Sequence, residues 1–181
     1  MRFADMHRFK AAPPFEAFTK LTWAAKPFSI VILLAICVAP VSAASLSRSV
    51  EVRGTPAEIW SVIGPFCAIG KWHPAIGTCA EDGKEPATRT LVTKDGKATF
   101  VELQTISSQQ EHLYGYTFVS SPLPVTNYRS VLKVTAEDAD HSMVTWSGEY
   151  KPYSGKEKDA DAALSGIYEA GLEAIKAKFA N

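Results

Sequence analysis

From residue 46 to residue 150 apolar side chains mostly alternate with polar ones in short runs; beyond residue 157 they recur at helical spacing. In Leu46–Arg53, LSRSVEVR, the residues Leu46, Val50 and Val52 share one face of a strand, which Gly54 ends. Thr55-Pro56-Ala57-Glu58 opens a helix. Thr55 is placed to accept from the amide of residue 58, Glu58 to reach back, and Pro56 to sit in the first turn, where its missing N–H is harmless. Ile59, Trp60 and Ile63 give that helix a buried face, and Gly64-Pro65 ends it. A second short helix is expected over Phe66–Ile69, with Lys71-Trp72-His73-Pro74 leading out.

Strands follow at Ala87–Thr93, Lys97–Ile106, Leu113–Val119, Tyr128–Thr135 and Met143–Tyr150. Asp95-Gly96 reads as a two-residue hairpin turn with both residues at positive φ. That turn sets Leu91 opposite Phe100 and Arg89 opposite Glu102. With a further turn at Ser107–Gln110, Leu103 lies opposite Tyr114, Val101 opposite Tyr116 and Thr99 opposite Phe118. One face then collects Thr90, Val92, Val101, Leu103, Tyr114, Tyr116 and Phe118, the other Arg89, Glu102, Gln104 and Thr117. The first is taken as the concave face. Arg89–Glu102 becomes an exposed cross-strand pair worth less than about 1 kcal/mol, and a catalytic role for it is the minor reading. Val144, Trp146 and Tyr150 alternate inward on the last strand. From Glu157 to Phe179 a long amphipathic helix carries Leu164, Ile167, Gly171, Ile175 and Phe179 on its buried stripe, with Ala160 and Ala163 among its small residues. Small residues facing a sheet suggest an unfilled space, and the polar-tipped aromatics suit a guest with an apolar body. Val101, Tyr114, Tyr116, Phe118, Trp146 and Ile167 are its expected walls; a solid aromatic core is the competing expectation.

The chain has 19 basic and 19 acidic residues among 181, which argues against nucleic-acid binding, for which a basic excess is needed. The charge is uneven. Residues 1–43 carry a net of +3 and the remainder −3. Phe28–Ala39, FSIVILLAICVA, is 12 residues without a charge, short of the roughly 20 that cross a bilayer and within the range of a signal-peptide core. Val41 and Ala43 suit signal peptidase. Residues 1–43 are thus expected to be a cleaved signal peptide and 44–181 a secreted, periplasmic domain with no stable membrane insertion; an uncleaved anchor is the alternative. Cys37 leaves with the leader. Cys67 and Cys79 remain, and an even count in an exported domain points to a disulfide, two buried free thiols being the alternative. No further ligand stands at metal spacing, and no cofactor is expected.

This order of elements resembles the START/Bet v1-like (SRPBCC) helix-grip superfamily, and more closely the exported members of the bacterial polyketide cyclase/dehydrase and lipid transport group. The resemblance is carried by Thr55-Pro56-Ala57-Glu58-Ile59-Trp60, by Phe66 through Trp72-His73-Pro74-Ala75-Ile76 to Cys79, by Arg89-Thr90-Leu91 with Asp95-Gly96, and by Pro122-Leu123-Pro124-Val125-Thr126-Asn127-Tyr128. It implies an α+β fold, a curved antiparallel sheet wrapped around a long C-terminal helix, with two short helices after the first strand. Plant abscisic-acid receptors share this fold. By that likeness Tyr128 and Ser130 line the pocket, His73 stands near a ligand-pairing lysine of those receptors, and the loop with Leu123 and Pro124 sits at the mouth. A neutral histidine is a weaker anion anchor than lysine, so a carboxylate ligand is not implied.

Three functions are weighed. The first is an exported carrier for a small hydrophobic molecule, whether lipid-like, aromatic or polyketide-like. The second is a cyclase or dehydratase using His73 as its acid/base, assisted by Tyr116 or Tyr128. The third is an accessory protein to a periplasmic partner enzyme, an oxidoreductase.

Overall fold

The structure is a computed structural model and describes residues 43–180; the leader, apart from Ala43, lies outside the described residues. Strand β1 (Ala44–Arg53) is followed by helix α1 (Pro56–Ile63), a short 3-10 turn (Phe66–Ala68) and helix α2 (Ile69–Trp72). Strands β2 (Ile76–Glu81), β3 (Thr88–Thr93), β4 (Thr99–Ser108), β5 (Leu113–Ser120), β6 (Val125–Ala136) and β7 (His141–Pro152) come next, and helix α3 (Glu157–Lys178) closes the chain. The seven strands form one antiparallel sheet in the order β1-β7-β6-β5-β4-β3-β2. The curved sheet and α3 make the α+β helix-grip fold. None of the described helices is long and apolar enough to cross a membrane.

The start of α1 forms as its residues dictate. The Thr55 hydroxyl accepts from the Glu58 amide at 3.4 Å and the Glu58 carboxylate accepts from the Thr55 amide at 2.8 Å. Leu46, Val50 and Val52 face the core. Cys67 and Cys79 are joined as a disulfide, which ties the 3-10 turn to β2.

Several expectations are corrected. β2 has no counterpart in the sequence pattern, because IGTCAE carries few apolar residues and only Ile76 is buried. Between β3 and β4 only Gly96 takes a positive φ, 70°. A four-residue loop spans the turn, closed by Thr93 N–H donating to Ala98 O at 3.0 Å, while the Asp95 carboxylate accepts from the Thr93 hydroxyl at 2.6 Å and the Lys97 amide at 3.1 Å. The register matches the expected one all the same, with Leu91 opposite Phe100 and Arg89 opposite Glu102.

The register of β4 with β5 does not match. Phe118 pairs with Glu102 and Tyr116 with Gln104, with irregularities at Val101/Glu102 and Gln104/Ile106. This differs from the expected pairing by three positions, and an odd shift turns a strand over. Tyr114, Tyr116 and Phe118 still face inward, but the β3–β4 hairpin is inverted. Arg89, Leu91, Phe100 and Glu102 are buried, whereas Thr90 is exposed and Val92, Val101 and Leu103 are only half-buried. Arg89–Glu102 is therefore a core ion pair, not a surface one.

Candidate functional site

The inner face of the sheet is lined at its β7–β6–β5 centre by a chain of buried hydroxyls. Trp146 Nε1–H donates to Tyr116 Oη (3.1 Å) and to Ser130 Oγ (3.0 Å). Tyr116 and Tyr128 hydroxyls are 3.3 Å apart, Tyr128 and Tyr168 2.8 Å, and Tyr168 and Ser130 2.9 Å; Ser130 donates to the Ser147 carbonyl at 2.7 Å. The direction of every proton follows from the two ends. An indole N–H can only donate and a carbonyl can only accept, so Ser130 accepts from Tyr168, Tyr168 from Tyr128, and Tyr128 from Tyr116. Burial pushes the Tyr168 hydroxyl up to about 12 and those of Tyr116 and Tyr128 well above the ordinary tyrosine value. They stay protonated at neutral pH, and each proton has a single fixed acceptor.

Tyr168 arrives from α3 and stacks on Trp146 at 4.6 Å between ring centres, the planes 7° apart. Two glycines make room. A Cβ on Gly148 would collide with the Tyr168 hydroxyl, and one on Gly171 would stand 2.7 Å from Trp146 Cζ3 and 2.8 Å from His73 Cδ2. Gly171 thus admits neighbours rather than leaving a gap, which corrects the expectation that small helix residues create the cavity.

A cavity of about 220 Å³ nevertheless lies to one side of this wall. Ile69, His73, Ala75 and Ile76 close it from α2 and the start of β2; Leu91, Thr93, Phe100 and Glu102 from β3 and β4; Tyr116, Phe118, Tyr128 and Trp146 from β5 to β7; Leu164 and Ile167 from α3. Of the anticipated residues, His73, Tyr116, Phe118, Tyr128, Trp146 and Ile167 stand on it. Five do not. Val101 is on the opposite face of the inverted hairpin. Tyr114 is buried away from it, against Trp60 and Phe66. Ser130 lies in the hydroxyl chain behind the wall. Leu123 and Pro124 are half-buried in the β5–β6 loop and do not reach the lining.

His73 is held as a neutral ring. Its Nδ1 accepts from the Ala75 amide at 3.2 Å, which leaves Nε2–H to donate to the Ile167 carbonyl at 3.0 Å. Burial lowers its pKa below the ordinary histidine value, with a smaller push from Lys94. With both nitrogens occupied, it is placed to hold α2 against α3 rather than to shuttle protons into the cavity.

The one carboxylate on the cavity wall is Glu102. Arg89 Nε donates to its Oε2 at 2.6 Å, Arg89 Nη1 donates to the Phe66 carbonyl, and the guanidinium lies 4.0 Å over the Phe66 ring and 5.0 Å from the Tyr116 ring centre. Burial pushes the Glu102 carboxyl up, and Arg89 restrains that rise. Glu102 Oε1 has no hydrogen-bond partner among the described residues. The sequence hides this residue because both faces of the β3–β4 hairpin carry apolar side chains: Leu91 and Phe100 share a face with Arg89 and Glu102, while Val92, Val101 and Leu103 share the other. The usable signal was the ion pair, since opposite charges directly across a ladder neutralise each other and can be buried together. Among the described residues no group of His, Cys, Asp and Glu is arranged to hold a metal ion.

The family described as polyketide cyclase/dehydrase and lipid transport matches residues 43–180. The chain belongs to this family. Solved structures similar to it include the protein XoxI from Bacillus cereus, at 31% identity and a TM-score of 0.72, covering 76% of this chain and 96% of that one. An uncharacterized protein from Bacillus thuringiensis is 30% identical with a TM-score of 0.71, covering 76% of this chain and all of that one. The Zhui aromatase/cyclase from Streptomyces sp. R1128 has the same fold at 13% identity and a TM-score of 0.62, covering 76% of this chain and 93% of that one. No match to this chain was found among curated proteins. In this polyketide cyclase/dehydrase family member, the helix-grip frame encloses a cavity whose wall is apolar but for the tips of a few aromatics, Thr93, His73 and Glu102.

Proposed function

We propose that this family member is an exported binding or carrier protein for a small hydrophobic molecule held in the cavity between sheet and α3. The observation that carries the reading is the cavity itself: about 220 Å³ bounded largely by aliphatic and aromatic side chains, against the roughly 150 Å³ engineered cavity that already accepts benzene. Space of that size takes a single ring with small substituents or a short chain. Binding is favoured over the cyclase alternative because His73 has both ring nitrogens engaged within the fold. Export is supported by the basic, apolar leader and by the Cys67–Cys79 disulfide, a bond that persists in oxidising compartments. The helper role toward a periplasmic oxidoreductase is not adopted, since no observation favours it.

Native mass spectrometry of the mature protein, with a titration of p-xylene followed by Ile76 and Leu91 methyl resonances, tests the binding reading. A co-purified apolar molecule or saturable methyl shifts is expected. Absence of both would dismiss it. N-terminal sequencing of the periplasmic fraction tests export, with a start at Ala44 or Ser45 expected.

A further inference from the structure

The polar atoms of the cavity wall are unequally committed. Every side-chain proton donor on it is already used: His73 Nε2–H on Ile167 O, the Thr93 hydroxyl on Asp95, Trp146 Nε1–H on Tyr116 and Ser130, Tyr116 on Tyr128, and Tyr128 on Tyr168. The uncommitted strong acceptor is Glu102 Oε1, on a side chain only 5% exposed whose other oxygen is fixed by Arg89. A guest that presents only carbonyls or a carboxylate finds no free donor on that wall, since the unpartnered Arg89 Nη2 belongs to a residue off the lining. A guest with a hydroxyl finds a charged acceptor in a nearly dry wall, where a donor left unpaired would count heavily against binding.

The charge of the guest follows from the same pair. Arg89 has already neutralised Glu102, so a cation would gain little and would have to leave water. An anion would meet the Glu102 carboxylate first, because the Arg89 guanidinium is not part of the lining and is packed on the Phe66 and Tyr116 rings.

We propose that the cavity is selective for a neutral single-ring or similarly small apolar molecule bearing one hydroxyl, a phenol or an alcohol, whose O–H donates to Glu102 Oε1. This rests on the binding reading above and narrows it to a ligand class.

The test uses p-cresol and p-xylene, which have nearly the same shape and differ in a hydroxyl, with benzoate as the anionic probe, titrated into the full mature protein. A purely apolar pocket would prefer p-xylene, because p-cresol gives up hydration. With Glu102 as acceptor, p-cresol binds more tightly by roughly ten- to a hundred-fold, the range of a hydrogen bond to a charged group, and benzoate does not compete. In the double variant Arg89→Met/Glu102→Leu, which removes both charges and leaves neither unpaired, the ratio of p-cresol to p-xylene affinity falls to or below one, whatever the change in either affinity alone. Independently of any variant, the Glu102 carboxyl carbon resonance moves on adding p-cresol and not on adding p-xylene. Equal affinities, a preference for benzoate, a preference surviving in the double variant, or an unmoved carboxyl resonance would each overturn the assignment while leaving the binding reading intact. If neither neutral probe binds, the binding reading itself is lost, and this inference with it.

Discussion

His73 shows how a single side chain can be read two ways until its partners are known. A histidine beside the expected pocket was a natural acid/base candidate, yet the Ala75 amide and the Ile167 carbonyl occupy both nitrogens and hold it neutral. Its pKa lies below 6.5 in the fold, and the unfolded chain takes up a proton near 6.5. As pH falls from 7 toward 5 the unfolded state therefore binds a proton that the fold refuses. Stability drops by up to about 1.4 kcal/mol per pH unit until the folded ring titrates. The exposed carboxylates with lowered pKa values, those of Glu58, Asp82, Asp95 and Asp138, start from 4.5 or below and act only in more acidic solution. Urea midpoints measured at pH 7 and pH 5 should differ more for the wild type than for His73→Gln; equal differences would show that the ring titrates freely. Tyr168 makes the complementary case. Tyr168→Phe deletes both the acceptor for Tyr128 and a donor to Ser130 in a buried chain, and should lower stability by about 1–3 kcal/mol in denaturant unfolding.

At the scale of elements, α3 meets the sheet by a close approach that one missing methyl allows. Gly171→Ala would raise helix propensity by roughly 1 kcal/mol. Its Cβ would also sit inside the contact distance of both Trp146 and His73, and forcing atoms into a packed core typically costs about 1–3 kcal/mol. Both neighbours are ring atoms fixed by hydrogen bonds, so overpacking should win, and thermal unfolding of Gly171→Ala should begin at a lower temperature than that of the wild type. What the sequence makes legible follows the same division between local and distant causes. The α1 capping box, the β3–β4 register, the inward alternation of Val144, Trp146 and Tyr150 and the extent of α3 each depend on residues close in the chain. The β4–β5 register depends on two backbone irregularities that no residue pattern announces, and with it went the face of Glu102, Leu91 and Phe100. Tyr168 was passed over because a tyrosine on a charged, alanine-rich helix does not distinguish itself from a surface residue until Gly148 is seen to clear space for its hydroxyl.

Across the whole molecule, the two halves of the inner face do different work. The β7–β6–β5 side is filled by the hydroxyl chain and by Tyr168 stacked on Trp146, while the side bounded by α2, β2, β3 and β4 is left open and is secured by the Cys67–Cys79 disulfide. A cavity kept open in this way forgoes packing contacts, at about 20 cal/mol per Å² of cavity surface, so filling it should separate stability from binding. Ile167→Trp is the sharpest form of that experiment. Ile167 lines the cavity from α3, is half-buried, and lends only its backbone carbonyl to His73. An indole in its place projects into empty volume without removing a hydrogen bond. The variant should keep or raise the unfolding temperature while losing most of its capacity for p-xylene. If the opening is ordinary imperfect packing, the same substitution would change stability by a similar small amount, but there would be no wild-type p-xylene binding for it to abolish. A variant that is strongly destabilised would mean that the indole meets packed side chains, and that the space beneath α3 is smaller than the walls around it describe.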